Sequence, residues 1–217
     1  MTARLVLATR NAHKVGELRS ILTGSLGGAD VVEVLAAGDL GLPDVPETGV
    51  TFAENALLKA RAVVAATGLP AVADDSGIAV DVLGGSPGIF SARWCGRHGD
   101  DAANLALLLA QVADVPDEHR GAEFVCAAAL VTPDGAERVE LGRLRGALVR
   151  EPRGSGGFGY DPALVPQGLD VTCAELSAAQ KEAISHRGRA FRALAPQVAS
   201  ALGLGGAPEQ GPRGASA

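Results

Sequence analysis

Short apolar runs of strand length alternate with segments of helical hydrophobic period through the first half of the chain. This alternation is typical of an α/β fold with a largely parallel central sheet. The apolar runs predict strands over residues 4–9, 31–36, 71–73, 78–83 and 122–131, and one or two antiparallel strands over 137–149. The helical periods predict helices over residues 11–22, 52–66 and 101–112, a short helix after 177 and a last helix starting near 185.

Polar residues, glycine and proline mark the ends of these elements. Thr51 and Glu54 have the spacing of a capping box that opens the helix over residues 52–66, and Gly68 stops that helix. Gly24 is expected to end the first helix, and Pro196 is expected to kink or divide the last one.

Length and composition indicate a globular protein. The 217 residues, 47% of them apolar, favour one domain over residues 1–202 and a tail over 203–217 that is predicted to be disordered. A formal net charge of −6 argues against binding to a nucleic acid polymer or an anionic membrane. Without an apolar run of membrane-spanning length or a signal-peptide pattern, a cytoplasmic location is expected.

The three cysteines, Cys95, Cys126 and Cys173, lie far apart in the chain. Their spacing does not match a zinc site. They are expected to be buried thiols in a reducing compartment.

Lysine is rare in a chain that otherwise uses arginine. Of the 19 basic residues only three are lysines, namely Lys14, Lys59 and Lys181, and each lies in an unusual polar cluster. Thr51 and Asn55, for example, share one stripe of the predicted helix with Lys59. Because a lysine ammonium suits a phosphate oxygen, the three residues are candidate phosphate contacts. The alternative is that they are ordinary surface lysines.

Cations also occupy unexpected positions at helix starts. Lys14 and the pair His186 and Arg187 fall in predicted first turns, where the helix dipole disfavours positive charge. A bound anion would reverse that effect, and the turn over residues 8–14 could offer backbone N–H groups to a phosphate. The alternative is ordinary solvated charge at a helix end.

A pair of carboxylates, Asp74 and Asp75, opens a predicted turn over residues 74–77 at the end of a buried strand. Two adjacent carboxylates repel each other unless they share a cation or a proton, so they indicate a hard divalent ion such as Mg²⁺. Glu47 is a third candidate oxygen ligand. The alternative is a turn closed by an Asx hydrogen bond.

A glycine-rich loop over residues 154–161 carries Phe158 and the only tyrosine, Tyr160. Glycines allow a flat ligand to approach the backbone, and an aromatic ring offers a stacking surface for a base. Alternatively, both rings fill the core below the loop. Metal, phosphate and base contacts together indicate a nucleoside triphosphate site, although the chain has no P-loop or kinase motif.

In five ordered motifs the chain closely resembles the inosine/xanthosine triphosphate pyrophosphatase family. The resemblance extends from residue 4 to about residue 194. The motifs are Thr9-x-Asn11-x-x-Lys14; Glu47-Thr-Gly-x-Thr-Phe-x-Glu54-Asn55-Ala-x-x-Lys59-Ala; Ala73-Asp-Asp-Ser-Gly77 with Val80-Asp and Gly84-x-x-Pro-Gly-x-x-Ser-Ala-Arg93; Gly156-Gly-Phe-Gly-Tyr-Asp-Pro162; and Ala174-Glu-Leu176 with Ile184-Ser-His-Arg-Gly188.

This resemblance implies a fold and an activity. The expected fold is an elongated, two-lobed α/β structure around a central mixed β-sheet. The expected activity is hydrolysis of ITP, dITP and XTP to the monophosphate and pyrophosphate, with one Mg²⁺ per subunit of a homodimer. Such an enzyme removes deaminated purines from the nucleotide pool.

The resemblance also implies roles for individual residues. Asp75 would be the general base and, with Glu47, a metal ligand. The triphosphate and its surroundings would be contacted by Thr9, Arg10, Asn11, Ala12, His13, Lys14, Lys59, Ser76 and Lys181. The base, with its 6-oxo group, would be recognised by Phe158, Gly159, Tyr160, Asp161, His186 and Arg187.

Two other functions are compatible with parts of the pattern. A pyrophosphatase for other modified nucleotides, such as pyrimidines, fits less well because His186 and Arg187 match purine 6-oxo recognition. A nucleotide-binding sensor without catalysis fits less well because the Asp74 and Asp75 pair is intact.

Overall fold

The computed structural model of the chain describes residues 2–9 and 12–204, with residues 12 and 13 described by their backbone alone. Most of the predicted tail, residues 205–217, therefore lies outside the described residues, and the predicted domain bounds stay a prediction. Among the described residues, no helix combines the length and the apolar character that crossing a membrane requires.

The centre of the fold is one six-stranded mixed sheet in the order β2-β1-β3-β4-β5-β6. Its strands are β1 (Ala3–Leu7), β2 (Val32–Ala36), β3 (Ala71–Val80), β4 (Gly121–Val131), β5 (Glu137–Leu148) and β6 (Leu164–Pro166). Strand β1 pairs in parallel with β2 and β3, whereas the pairs from β3 to β6 are antiparallel. The expected α/β class with a mixed sheet is confirmed, and the largely parallel sheet predicted from periodicity is wrong.

The turn predicted over residues 74–77 is also wrong, because this segment lies inside β3. Asp74 pairs with Ala128 and Asp75 with Ala127 in an unbroken antiparallel ladder between β3 and β4. Aspartate and glycine have low strand propensity, but cross-strand pairing overrides that preference here. The strand ends at Val80, where a short 3₁₀ helix (Asp81–Leu83) replaces the predicted continuation.

Five α-helices pack around the sheet: α1 (Ala12–Ser25), α2 (Phe52–Thr67), α3 (Asp101–Gln111), α4 (Ala178–Ile184) and α5 (His186–Ala201). Gly24 lies inside α1 instead of ending it, and Pro196 lies inside α5 without dividing it. At the start of α2, the Thr51 hydroxyl accepts from the Glu54 N–H at 3.1 Å, whereas the Glu54 carboxylate accepts from the N–H of Val50.

Helices α2 and α5 cover opposite faces of β4. Cys126 and Ala128 belong to a buried cluster with Phe191 of α5, whereas Ala127 packs with Ala56 of α2. Successive residues of a strand point to opposite faces, which explains the alternation. A further buried cluster joins the end of β3, at Ile78 and Val80, to α3 and β6.

Gly142 lets α5 lie directly on the sheet. The sequence predicted either one or two strands over residues 137–149, and the structure has a single strand, β5, that continues through Gly142. A Cβ atom at this position would overlap the carbonyl oxygen of His186 and lie 2.6 Å from the backbone nitrogen of Ala190. The glycine therefore sets the distance between β5 and the first turn of α5.

We expect Gly142→Ala to lower the free energy of unfolding by about 1–3 kcal/mol, because the added methyl group forces α5 away from the sheet. Urea denaturation measures this change. The control is Gly16→Ala on the exposed side of α1, where nothing lies within 4 Å of the new methyl group. That variant should gain about 0.5–1 kcal/mol. Equal stability of the two variants would contradict the proposed role of Gly142.

Candidate active site

A cleft of about 590 Å³ brings distant parts of the chain together. Its volume lies within the range of small-molecule sites. It is lined by all the predicted site residues whose side chains the structure describes: Thr9, Lys14, Glu47, Lys59, Asp75, Ser76, Phe158, Gly159, Tyr160, Asp161, Lys181, His186 and Arg187. Of the other four, Arg10 and Asn11 lie outside the described residues, and Ala12 and His13 are described by their backbone alone at the start of α1. A second depression, of about 700 Å³ beside Thr132 and Pro196, contains none of the predicted site residues.

The two adjacent aspartates have separate environments. Asp74 shares the sheet face of Ala128, which α5 covers, and Asp75 shares the face of Ala127, which α2 covers. Because the strand is continuous, the two carboxylates diverge. Each has a close cationic partner, Lys14 for Asp74 and Lys59 for Asp75, and the charge of Lys59 also acts on Asp74. The divalent ion expected beside the pair stays a prediction.

Asp74 anchors the cations at two helix starts. Its carboxylate, in a residue only 2% exposed, accepts from Lys14 of α1 at 2.9 Å and from Arg187 of α5 at 3.4 Å. Burial alone would raise the pKa of Asp74, but the charges of Lys14 and Arg187 outweigh it and hold the pKa well below its ordinary value. Asp74 thus supplies a negative charge to the cations at these two helix starts. The bound phosphate expected there stays a prediction.

Arg187 is held by three protein acceptors. Besides Asp74, it donates to Glu17 at 2.8 Å and to the Ser76 hydroxyl at 3.1 Å. A guanidinium group has five N–H groups, so at most two remain for a ligand. Arg187 is 3% exposed, and its three acceptors hold its side chain in the cleft wall.

Asp75 lies on the opposite face, beside residues of α2. One oxygen accepts from Asn55 at 3.1 Å, and the other lies 3.6 Å from the Lys59 ammonium. Burial, followed by the negative charge of Glu47, raises the pKa of Asp75 above its ordinary value despite Lys59. A carboxylate of raised pKa in a cleft is suited to accept a proton.

Glu47 shares the Lys59 ammonium with Asp75. Lys59 donates to Glu47 at 2.8 Å, and Arg93 lies 3.9 Å from the second Glu47 oxygen. Burial opposes ionisation, but the charge of Lys59 outweighs it, and the pKa of Glu47 lies below its ordinary value. Burial likewise opposes the charge on Lys59, yet the surrounding carboxylates raise its pKa. The pKa values of the two carboxyl groups are thus displaced in opposite directions, that of Glu47 downwards and that of Asp75 upwards.

The donor chemistry of this cluster fits a hard divalent cation. Glu47 and Asp75 both lie beside the single ammonium of Lys59, so their oxygens could also face one metal ion. The part of the chain that the structure describes contains no group of three or more His, Cys, Asp or Glu residues able to hold a metal. Mg²⁺ accepts such a site because it uses few carboxylates and keeps water and phosphate oxygens as its other ligands.

The glycine-rich loop presents one aromatic ring and buries the other. Phe158 is 40% exposed, with the Lys181 ammonium 5.1 Å and the Arg187 guanidinium 5.7 Å from its ring centre. The Tyr160 ring is in the core, and its hydroxyl donates to the Ser91 carbonyl at 2.9 Å. Phe158 is thus the more exposed of the two rings, whereas the Tyr160 ring fills the core and still lines the cleft. The predicted contact of Tyr160 with the base stays a prediction.

His186 is a buried and neutral side chain at the cleft wall. It stacks on Phe124 with ring centres 5.0 Å apart. Burial, followed by the positive charge of Arg187, holds the pKa of His186 well below its ordinary value. Its Nδ1 atom has no hydrogen-bond partner among the described residues. A neutral imidazole offers one donor and one acceptor, so this ring can distinguish polar atoms of a ligand.

Comparison with known proteins gives the family. A model of the Ham1 family matches residues 5–197, which is most of the chain. The chain belongs to the Ham1 family. This Ham1 protein is 66% identical over 200 residues to a Streptomyces coelicolor protein named dITP/XTP pyrophosphatase, covering 92% of this chain and 99% of the relative.

Solved structures agree with this assignment of the Ham1 protein. The crystal structure of a nucleoside-triphosphatase / dITP/XTP pyrophosphatase from Mycobacterium abscessus matches with 54% identity and a TM-score of 0.73, covering 89% of this chain and 99% of that chain. A HAM1 protein from Coxiella burnetii matches with 37% identity and a TM-score of 0.82, covering 92% of this chain and 100% of that chain. The family resemblance carried by the five motifs is confirmed.

Sequence reasoning about this Ham1 protein assigned no role to three residues that organise the site. Glu17 holds Arg187, Asp101 accepts from the Gly159 N–H at 3.0 Å, and Asn55 contacts Asp75. The position of Asn55 between Thr51 and Lys59 on one helical stripe was a usable signal. The contacts of Glu17 and Asp101 join residues 170 and 58 positions apart, which no local pattern predicts.

Proposed function

We propose that this Ham1 family protein hydrolyses dITP, ITP and XTP to the nucleoside monophosphate and pyrophosphate. The observation that carries the proposal is the pairing of Asp75, whose pKa is raised, with ionised Glu47 beside the Lys59 ammonium in the cleft. The names of the relatives from Streptomyces coelicolor and Mycobacterium abscessus support dITP and XTP as substrates.

In this mechanism Asp75 accepts a proton from the attacking water. The water oxygen forms a bond to the α-phosphorus, the α–β phosphoanhydride bond breaks, and pyrophosphate leaves. The raised pKa of Asp75 favours this role, because a general base works best when its pKa lies near the operating pH. Glu47 and Asp75 are the residues that would hold Mg²⁺, one ion per subunit, which when bound neutralises charge on the phosphate oxygens.

Lys14, Lys59 and Lys181 bind the triphosphate in this proposal. Each ammonium already has a carboxylate partner: Lys14 pairs with Asp74, Lys59 with Glu47 and Lys181 with Asp161. These partners hold the ammonium groups in the cleft wall before the nucleotide arrives. Positioned in this way, the cations lose little side-chain freedom on binding.

We expect Lys59→Met to raise KM about tenfold, since a charge-assisted hydrogen bond to phosphate contributes about 1.5–3 kcal/mol. Steady-state kinetics with XTP measures the effect. Arg61→Met is the control on the same helix, because Arg61 is an exposed cation paired with Glu137 outside the cleft. Its KM should stay within about twofold of wild type. An unchanged KM in the Lys59 variant would contradict the proposed contact of Lys59 with the triphosphate.

The base lies against Phe158 and His186 in the proposed complex. Phe158 provides the stacking surface, and the neutral His186 ring offers its donor to the 6-oxo group. The 6-amino group of ATP would face this donor with another donor. A buried mismatch of that kind costs about 1–3 kcal/mol.

The decisive experiment incubates the purified protein and Mg²⁺ with ITP, dITP, XTP, GTP and ATP and identifies the phosphate product. Selective release of pyrophosphate from the first three is expected. Orthophosphate as the product, or equal rates with ATP and GTP, would overturn the proposal. Faster turnover of modified pyrimidine triphosphates would favour the other pyrophosphatase, and tight binding without turnover would favour a sensor.

We also propose a homodimer located in the cytoplasm. The homodimer is what the resemblance to the inosine/xanthosine triphosphate pyrophosphatase family implies. Sedimentation equilibrium of the purified protein would give the subunit number. A monomer at micromolar concentration would contradict the proposed assembly.

A further inference from the structure

Asn55 is a completely buried polar side chain on α2, with an exposed fraction of 0%. Its side-chain oxygen accepts from the N–H of Gly49 at 2.8 Å, and its side-chain nitrogen donates to Asp75 at 3.1 Å. It therefore bridges two parts of the site: the loop that carries Glu47 and the strand that carries Asp75.

Chemistry fixes the orientation of this amide. A backbone N–H can only donate, so Gly49 must face the Asn55 oxygen, and the Asn55 nitrogen must then face Asp75. The Asp75 oxygen beside Asn55 is thus an acceptor and is occupied by the protein. The other oxygen, which accepts from the Ser76 N–H at 3.1 Å, lies on the side of Lys59.

The loop before α2 is fitted closely to Asn55. A Cβ atom at position 49 would lie 2.8 Å from the Asn55 side-chain oxygen and 2.7 Å from the Cβ atom of Glu54. The next residue, Val50, donates its N–H to the Glu54 carboxylate at 2.7 Å. Glu47, two residues before Gly49, is consequently tied to the first turn of α2.

We propose that Asn55 is a positioning residue that fixes the orientation of the Asp75 carboxylate and the distance between Asp75 and Glu47. This inference rests on the proposed function, because it assigns Asn55 to the same two-carboxylate site. Asn55 acts through Asp75 and the Gly49 backbone, and it needs no contact with the nucleotide.

The chain contains a matched control. Asn104 is 1% exposed on α3, accepts from the Cys95 N–H at 2.8 Å and donates to a backbone carbonyl, that of Ala92, at 3.2 Å. Asn55→Leu and Asn104→Leu therefore remove the same kind of buried amide, and only the first removes a donor to a carboxylate. Asn55→Asp is a third variant, which keeps an acceptor for Gly49 and in its ionised form replaces the donor to Asp75 with a like charge.

The experiment measures two quantities for each variant: kcat and KM for XTP, and the affinity of the nucleotide-free protein for Mn²⁺ by calorimetry. Because residues that orient metal ligands affect metal affinity or activity about 10–100-fold, we expect Asn55→Leu to lower both kcat and Mn²⁺ affinity by that factor. KM should stay within about threefold. Asn104→Leu should leave kcat and Mn²⁺ affinity within about threefold of wild type.

The outcomes separate this inference from the proposed function. Equal losses in the Asn55 and Asn104 variants would overturn the positioning role, as would wild-type kcat and Mn²⁺ affinity in Asn55→Asp. The Asp variant decides the question if Asn55→Leu does not fold. A wild-type protein that binds Mn²⁺ but cleaves no nucleotide would refute the proposed function, and Mn²⁺ affinity alone would then decide the role of Asn55. Failure of the wild type in both measurements would overturn both proposals.

Discussion

Asp75→Asn is expected to lower kcat about 10²–10⁴-fold, because the amide cannot accept the proton that the carboxylate takes from water. The Kd for XTP should stay within about threefold, so that the loss appears in turnover and not in binding. Since burial raises the pKa of Asp75, its ionised form costs the folded state free energy. The neutral variant should therefore be as stable as wild type or more stable.

Kinetics, calorimetric binding and urea denaturation of the same Asp75→Asn preparation test these three statements together. Asp114→Asn is the control, because Asp114 is exposed and lies outside the cleft. Near-normal kcat in Asp75→Asn would exclude Asp75 as the general base.

The neighbouring substitution, Asp74→Asn, should act on stability instead. We expect the free energy of unfolding at pH 7 to fall by about 3–5 kcal/mol, the usual cost of removing one partner of a buried ion pair. Lys14 loses its salt bridge to Asp74, whereas Arg187 keeps its salt bridge to Glu17. The Asp114→Asn control should change stability by no more than about 0.5 kcal/mol. A variant as stable as wild type would contradict the anchoring role of Asp74.

The stability supplied by Asp74 should also depend on pH. Its pKa in the folded state lies below the unfolded value of about 3.9, so the unfolded chain takes up the proton first as the pH falls. The contribution is complete above the unfolded pKa and is lost as the pH falls towards the folded pKa. Urea denaturation between pH 7 and pH 3 should therefore show the difference between wild type and Asp74→Asn shrinking below about pH 4. A difference that grows on acidification would contradict this assignment.

The sequence predicted most helices because their periods and caps are local features. Helix α2, predicted over residues 52–66 and found at Phe52–Thr67, has a capping residue at one end and Gly68 in the left-handed conformation at the other. The turn predicted over 74–77 failed because local propensity contains no information about β4, which pairs with the whole of β3. For the same reason, the sequence did not predict that Asp74 and Asp75 point to opposite faces of the sheet.

The candidate site was predictable as a set of residue types but not as a set of pairs. The rare lysines and the glycine-rich loop identified most of the cleft lining from their chemistry. Which carboxylate each cation meets depends on sheet faces and helix packing, and these are tertiary properties. Lys14 and Asp74, for instance, are 60 residues apart in the chain and 2.9 Å apart in space.

The alternation of side chains along β3 makes the strand intolerant of changes in length. Removing or adding one residue between Ala71 and Asp74 would turn each aspartate to the opposite face of the sheet. Asp74 would then point towards Lys59, and Asp75 would point towards Arg187. Point substitutions preserve this arrangement, whereas single-residue insertions and deletions exchange its two halves. Any such change that leaves the protein functional should therefore fall in the loops that flank β3.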